Sequence, residues 1–270
     1  MFHGPILVNC CALLLLGLSS GQNTSISPWI AALDDPSTII SCEPWITITP
    51  EPWTTTSNGP STATSSRRTT SSLMKETQLA NQNLTARKVC VFRSLVARGR
   101  AANAEHPGEF APSSSRMDLM EYDCVAERYA LRHVCLCDRK QSPAAYRPGY
   151  QENIHILQTT STNTLGALQN AISTFTSELT SNGIPSNMAF SANVNQRQHR
   201  TVTRVSKVIW GTNRYVGCAT QLCRGFYFTS CMYRNPVNVV GSNIYSIGAV
   251  CSACPAGPNN CNTAIGLCSW

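Results

Sequence analysis

Charge is scarce in this chain. Asp, Glu, Lys and Arg make up 13% of its 270 residues, roughly half the share of an ordinary soluble domain. The net charge of +7 is scattered. The densest basic pairs, Arg67-Arg68 and Arg139-Lys140, are too short for a nucleic-acid-binding stripe, so nucleic acid is not an expected partner. Long apolar runs are also missing beyond the N-terminus: no later segment approaches the roughly eighteen apolar residues of a membrane helix. Catalytic signatures are absent as well. There is no G-x-S-x-G, no H-E-x-x-H and no glycine-rich phosphate loop. Neither enzymatic activity nor a cofactor is expected.

What the chain has in quantity is cysteine, fourteen residues of it. The first residues say where that cysteine is used. An apolar run from Ile6 to Leu18 is followed by the small residues Ser19, Ser20 and Gly21, the pattern of a secretory signal peptide over 1–21. Cys10 and Cys11 leave with it. The remaining twelve cysteines read, in an oxidising extracellular compartment, as up to six disulfides. Asn23-Thr24-Ser25 and Asn83-Leu84-Thr85 are N-glycosylation sequons, making Asn23 and Asn83 candidate glycan sites outside the folded region.

Residues 22–85 read as a disordered, Thr/Ser/Pro-rich arm that cannot bury a core. It carries a Glu-Pro-Trp-x-Thr repeat at 43–47 and 51–55, and a lone Cys42 that pairs with Cys90 or links two chains. Residues 86–250 read as globular. Leu119, Tyr122, Ala126, Ala130 and Val134 recur at helical spacing over 118–137. A second helix is expected over 163–182, with Thr162 placed to cap it, and a third over 86–103. His133 then falls on a helix surface and His199 in a polar loop. VTRVSKVIW, RYVGCA and GFYFTSCMY, rich in β-branched and aromatic residues, read as three strands. Helices followed by an antiparallel sheet make an α+β fold. In the tail, 251–270, Cys251, Cys254, Cys261 and Cys268 could in principle ligate zinc, but a secreted chain favours a disulfide knot.

Several segments carry a resemblance: MEYDCVAERYALRHVCLC, PGYQENIHI, FTSELTSNGI, VIWGTNRYVGCATQLC and FTSCMYRNPVNVVGSNIYSIGAVCSACP. The last joins Cys-x-Tyr, Asn-Val-x-Gly, Tyr-x-x-Gly and C-x2-C in one run. Over about residues 86–270 the chain resembles the CAP superfamily of cysteine-rich secretory, antigen 5 and pathogenesis-related 1 proteins. Within that superfamily it is most like the venom-allergen-like and activation-associated secreted proteins of nematodes. The resemblance implies an α-β-α sandwich with a small disulfide-rich C-terminal hinge. It implies the pairs Cys218–Cys231 and Cys137–Cys223. Cys90 and Cys124 are read as further disulfide cysteines, and the four hinge cysteines as pairing among themselves.

The resemblance also implies a shallow cavity where two His and two Glu hold a divalent ion. Gln151-Glu152-Asn153 supplies one glutamate and Glu178 the other. The histidine positions fall on Gln141, counted from Cys137, and Arg204, counted from Trp210. A guanidinium cannot ligate a metal and repels one. The tetrad is therefore read as degenerate, with Arg204 sitting between Glu152 and Glu178. Of the first helix's His-Asn-x-x-Arg motif only Arg93 survives. Ser206, two residues after Arg204 and on the same face of a strand, has no imidazole to activate it. The expected function is a secreted binding protein, an effector engaging an unknown extracellular host protein. The alternatives are a sterol or lipid carrier using the region near 141–150, or a glycosylated coat protein.

Overall fold

The computed structural model describes residues 70–255 and 257–270. The segment read as a signal peptide, with Cys10 and Cys11, and Asn23, Cys42 and the Trp-containing repeat lie outside the described residues. The chain opens with α1 (Thr70–Ala97), then short β1 (Ser114–Arg116) and β2 (Glu121–Tyr122), and α2 (Cys124–Val134). There follow β3 (Tyr150–Leu157), α3 (Thr164–Ser181), β4 (Ala189–Phe190), α4 (Ala192–Asn195) and α5 (Thr203–Ile209). The long strands β5 (Tyr215–Cys223) and β6 (Phe226–Arg234) form a hairpin, and β7 (Ser242–Asn243) through β10 (Leu267–Cys268) are two-residue strands, with β8 at Ser246–Ile247 and β9 at Cys261–Asn262.

The central sheet has the order β2-β5-β6-β3. Only the β2–β5 pairing is parallel. Both faces are covered, as the unbroken burial from Phe226 to Tyr233 on β6 requires. On one face Ala126, Ala130 and Val134 of α2 pack against Ala219, Phe228 and Met232. On the other, Val216, Cys218, Cys231 and Tyr233 meet residues of α1, α3 and α5, among them Val89, Phe175 and Val208. Neighbouring strand residues thus point into different cores, the period-2 alternation of a sheet. This is the expected α-β-α sandwich.

Four expectations about elements need correction. Residues 70–85, read as part of the disordered arm, are the first half of α1, and the helix ends at Ala97 rather than running to 103. Asn83 is therefore an exposed helix position, not a flexible-arm one, while Thr85 of its sequon is buried with its hydroxyl donating to the Asn81 carbonyl at 2.9 Å. The helix read over 118–137 is shorter: it starts at Cys124, where the Asp123 side chain accepts from the Val125 amide, and stops at Val134. Cap chemistry sets the α3 start too, but through Asn163, which accepts from the Gly166 amide, not Thr162.

The fourth correction matters most for the site. VTRVSKVIW is not a strand. Residues 203–209 form α5, despite four β-branched residues. No side chain of its own caps it. Instead the Glu178 carboxylate, reaching across from α3, accepts from the Arg204 and Val205 amides at 2.9 Å each. A tertiary contact thus does the work of an N-cap and overrides local propensity.

The disulfides Cys137–Cys223 and Cys218–Cys231 are present. The hinge closes through Cys251–Cys261 and Cys254–Cys268. Three of its sulfurs lie near enough to share a metal, but as disulfides they offer no thiolate. Cys90 and Cys135 are also disulfide-bonded. Cys124, expected in a disulfide, is a free, exposed thiol at the first turn of α2. The hinge is not loosely attached: Cys268 exchanges backbone hydrogen bonds with Met117 and Leu119, and Leu267 is fully buried.

Candidate functional site

β3, α3 and α5 converge on two buried carboxylates. Glu152 sits on the sheet and Glu178 in the C-terminal half of α3; both are almost wholly buried. A buried carboxylate needs hydrogen bonds and a counter-charge, and each has found its own.

Glu152 is saturated. Its Oε1 accepts from Ser230 Oγ at 2.6 Å and pairs closely with His133 Nδ1. Its Oε2 accepts from the Ser142 amide at 2.7 Å and the Ser142 hydroxyl at 2.8 Å, with Arg147 Nε at 3.9 Å. Burial alone would raise the Glu152 carboxyl; the bonds from His133, Ser230 and Ser142 together outweigh it and hold it below its usual range. His133 shows the counterpart. Burial works to lower it, but the bond to Glu152 and the charges of Glu152 and Asp138 raise it above the ordinary imidazole value. His133 Nε2 lies 3.4 Å from Asp138 Oδ1, and the ring stands edge-on to Phe228.

Glu178 is saturated too. One oxygen caps α5 and the other pairs with Arg204 Nε. Arg204 therefore meets Glu178 alone, not both glutamates; Glu152 is answered from α2 by His133. Gln141 is exposed and donates only to the Glu152 carbonyl, at 3.3 Å. His199 is exposed in its loop. Ser206 is buried, donates to Asn238 Oδ1 at 2.8 Å, and on a helix no longer shares a face with Arg204.

Two members of the site escaped the sequence reading. His133, taken for a surface residue, is buried. Its spacing held the signal: it follows Ala130 by three and Ala126 by seven, on the buried face of α2. The second is Lys207, buried on α5, whose Nζ donates to Asn153 Oδ1 at 3.1 Å and to the Thr203 carbonyl at 2.9 Å. Burial pulls its amine down to about 8, with the charges of Glu178 and Glu152 acting to raise it and those of Arg147 and Arg204 to lower it.

Arg93 lies beneath the site and is fully buried. Its Nη1 donates to the Val208 and Trp210 carbonyls at 2.8 and 2.9 Å, and its Nη2 to those of Asp118 and Gly211 at 2.6 and 3.3 Å. One guanidinium thus ties α1 to the end of α5 and to the segment entering β2.

The donor set does not fit a divalent ion. Of the four positions matched to the family tetrad, one is an amide, one a guanidinium, and both carboxylates have their oxygens taken by the chain's own donors. Nor does the cluster form a nucleophile–base pair among the described residues, because the His133 ring faces Glu152 and Asp138 rather than a hydroxyl or thiol.

Comparison with known proteins agrees with this architecture. Residues 87–233 match the cysteine-rich secretory protein (CAP) family. The chain is 35% identical over 179 residues to the Ancylostoma secreted protein of Ancylostoma caninum; the match covers 66% of this chain and 41% of that protein, so the chain spans less than half the length of this relative. Among solved structures, Na-ASP-1 superposes with a TM-score of 0.65 at 31% identity, covering 70% of this chain and 47% of that one. NaASP2, solved with Zn2+, superposes with a TM-score of 0.64 at 27% identity, covering 72% of this chain and 96% of that one. CAP proteins of this kind are generally not enzymes, and the Ancylostoma relative is by name a secreted protein. This chain belongs to the CAP family of cysteine-rich secretory proteins and is similar to its nematode venom-allergen-like members.

Proposed function

We propose that this chain is a secreted, non-enzymatic CAP protein that acts by binding, an effector engaging an extracellular host protein through the surface of a disulfide-held frame. The observation that carries this reading is the saturation of Glu152 and Glu178. Both oxygens of each carboxylate are committed to donors of the chain itself, so among the described residues neither carboxylate is left free to hold a catalytic metal or accept a proton from substrate. The metal site is degenerate, and recognition moves to the exterior.

A second reading, carriage of a sterol or lipid, has one observation in its favour. Leu136 and Tyr146 are strongly exposed, at 68% and 75%, in and beside the loop leading to β3.

The test is a binding screen of the secreted, folded chain against a panel of purified host extracellular proteins, with and without EDTA, alongside mass spectrometry of lipid extracted from the same preparation. Saturable, chelator-insensitive binding to one protein supports the effector reading. Loss of that binding in EDTA contradicts it. Stoichiometric co-purified sterol with no protein bound favours the carrier.

A further inference from the structure

The Arg139-Lys140 pair is too short in sequence to make a basic stripe, but the fold adds to it. The Cys137–Cys223 disulfide joins the segment after α2 to the tip of the β5–β6 hairpin, and the Arg139 guanidinium stands 3.9 Å over the Phe226 ring. One end of the sandwich is therefore built from three stretches: 132–140, 221–227 around the two-residue turn Arg224-Gly225, and 157–164, where β3 runs out beside β6. These stretches hold four exposed cations, Arg132, Arg139, Lys140 and Arg224, and one acid, Asp138. Asp138 is engaged locally: its Oδ1 accepts from the Lys140 amide at 3.1 Å and lies 3.4 Å from His133 Nε2. Two large apolar side chains project among the cations, Leu136 and Leu222, 68% and 48% exposed. Alternation along β5 sets Leu222 on the face opposite Ala219 and Cys223, which pack with α2. Leu136 lies on the α2 side, next to the cysteine bonded to Cys223. The two leucines thus flank one tip from opposite faces of the sheet. A flat protein surface laid against one leaves the other in water. A bilayer interface entered tip-first takes both, while the cations around them meet lipid headgroups.

We propose that this end of the sandwich is a peripheral membrane-docking surface: Leu136 and Leu222 enter the interface of an anionic phospholipid bilayer, and Arg132, Arg139, Lys140 and Arg224 contact its headgroups. Apolar burial and attraction to anionic lipid add in docking of this kind, and each basic side chain near the surface strengthens it severalfold. Such docking needs no spanning helix, and no described helix is long and apolar enough to cross a membrane. It differs from carriage, because no lipid leaves the bilayer. The inference goes beyond the host-protein reading and does not rest on it: none of these six side chains bonds Glu152 or Glu178.

The test is co-sedimentation of the full secreted chain with two kinds of vesicle, phosphatidylcholine alone and roughly 3:1 phosphatidylcholine to phosphatidylserine, at about 0.1 M and about 1 M salt. The variants are Leu136→Ser/Leu222→Ser and Lys140→Gln/Arg224→Gln. Arg139 is left in place because it stacks on Phe226. All four substituted positions are exposed, and equal melting temperatures show that both variants fold. The natural chain is expected to bind the anionic vesicles at low salt, at least ~10-fold more tightly than phosphatidylcholine alone, and to lose most of that binding at high salt. Each double variant is expected to weaken binding to anionic vesicles by ~10-fold or more. Absence of vesicle binding by the natural chain overturns the proposal, and so does a variant of either kind that binds as tightly as the natural chain. Retention on heparin without vesicle binding overturns it in favour of a sulfated glycan. Failure of the host-protein screen leaves every one of these outcomes unchanged.

Discussion

Three basic side chains decide the character of the site, and each makes a distinct prediction. Arg93 is the simplest. Its guanidinium is the common donor to four backbone carbonyls, three from the stretch 208–211 and one from Asp118, and replacing it strands buried acceptors. Arg93→Met should cost about 3 kcal/mol or more in denaturant unfolding. Arg93→Lys should recover little of it, because an ammonium cannot reproduce the fork. An unchanged unfolding midpoint would show that these bonds carry no net stability. His133 predicts a window. Its raised value means that its contribution is full below the ordinary 6.5 and is lost as pH climbs through the folded value. Glu152, lowered, contributes above its ordinary 4.5 and loses that as pH falls through its folded value. The stability gap between the natural chain and His133→Gln should therefore be widest between pH 4.5 and 6.5 and narrow on both sides. Lys207 has the opposite sign. With its amine at about 8 when folded and 10.5 when unfolded, the unfolded chain binds the extra proton between those values. The natural chain should gain stability relative to Lys207→Met as pH rises from about 8 to 10.5. A gap that stays flat over that range would mean that the amine is not depressed.

At the scale of elements, the close approach of α2 to β5 is set by Gly217. A Cβ there would stand 2.3 Å from the Glu127 amide and 2.4 Å from the Asp123 carbonyl, both backbone atoms at the helix start. Gly217→Ala should lower stability by about 1–3 kcal/mol by pushing α2 off the sheet, and a midpoint unchanged in thermal unfolding would contradict the packing described. This level also shows what the sequence could and could not reveal. α3 was legible almost to the residue because its apolar positions recur at 3.6 spacing and its face is buried by one core. α5 was not legible: Val202, Val205, Val208 and Ile209 read as strand, and the carboxylate that caps the helix is 26 and 27 residues upstream of the amides it accepts from, on α3. The start of α1 was hidden because Thr70 to Gln78 have the composition of a linker. In the site, Glu152, Glu178 and Arg204 could be placed by motif, whereas the His133–Glu152 pair depends on how α2 lies over β3 and β6, which no local pattern states.

The whole molecule is a sandwich fastened by disulfides. Cys137–Cys223 fastens the end of α2 to the sheet, Cys218–Cys231 crosslinks β5 to β6, and two bridges close the hinge, whose last strand is hydrogen-bonded to the segment entering β2. Closing a loop of the β5–β6 size is worth roughly 3 kcal/mol in the chain-entropy model. EDTA should accordingly leave the melting temperature where it is, and a reductant should lower it; a chelator-induced fall would point to a metal in the frame. The central claim is that two buried carboxylates have been satisfied from within. The most direct measurement is a calorimetric zinc titration of the natural chain at neutral pH. The account predicts no saturable heat. Stoichiometric binding that is lost in Glu152→Gln or Glu178→Gln would contradict it.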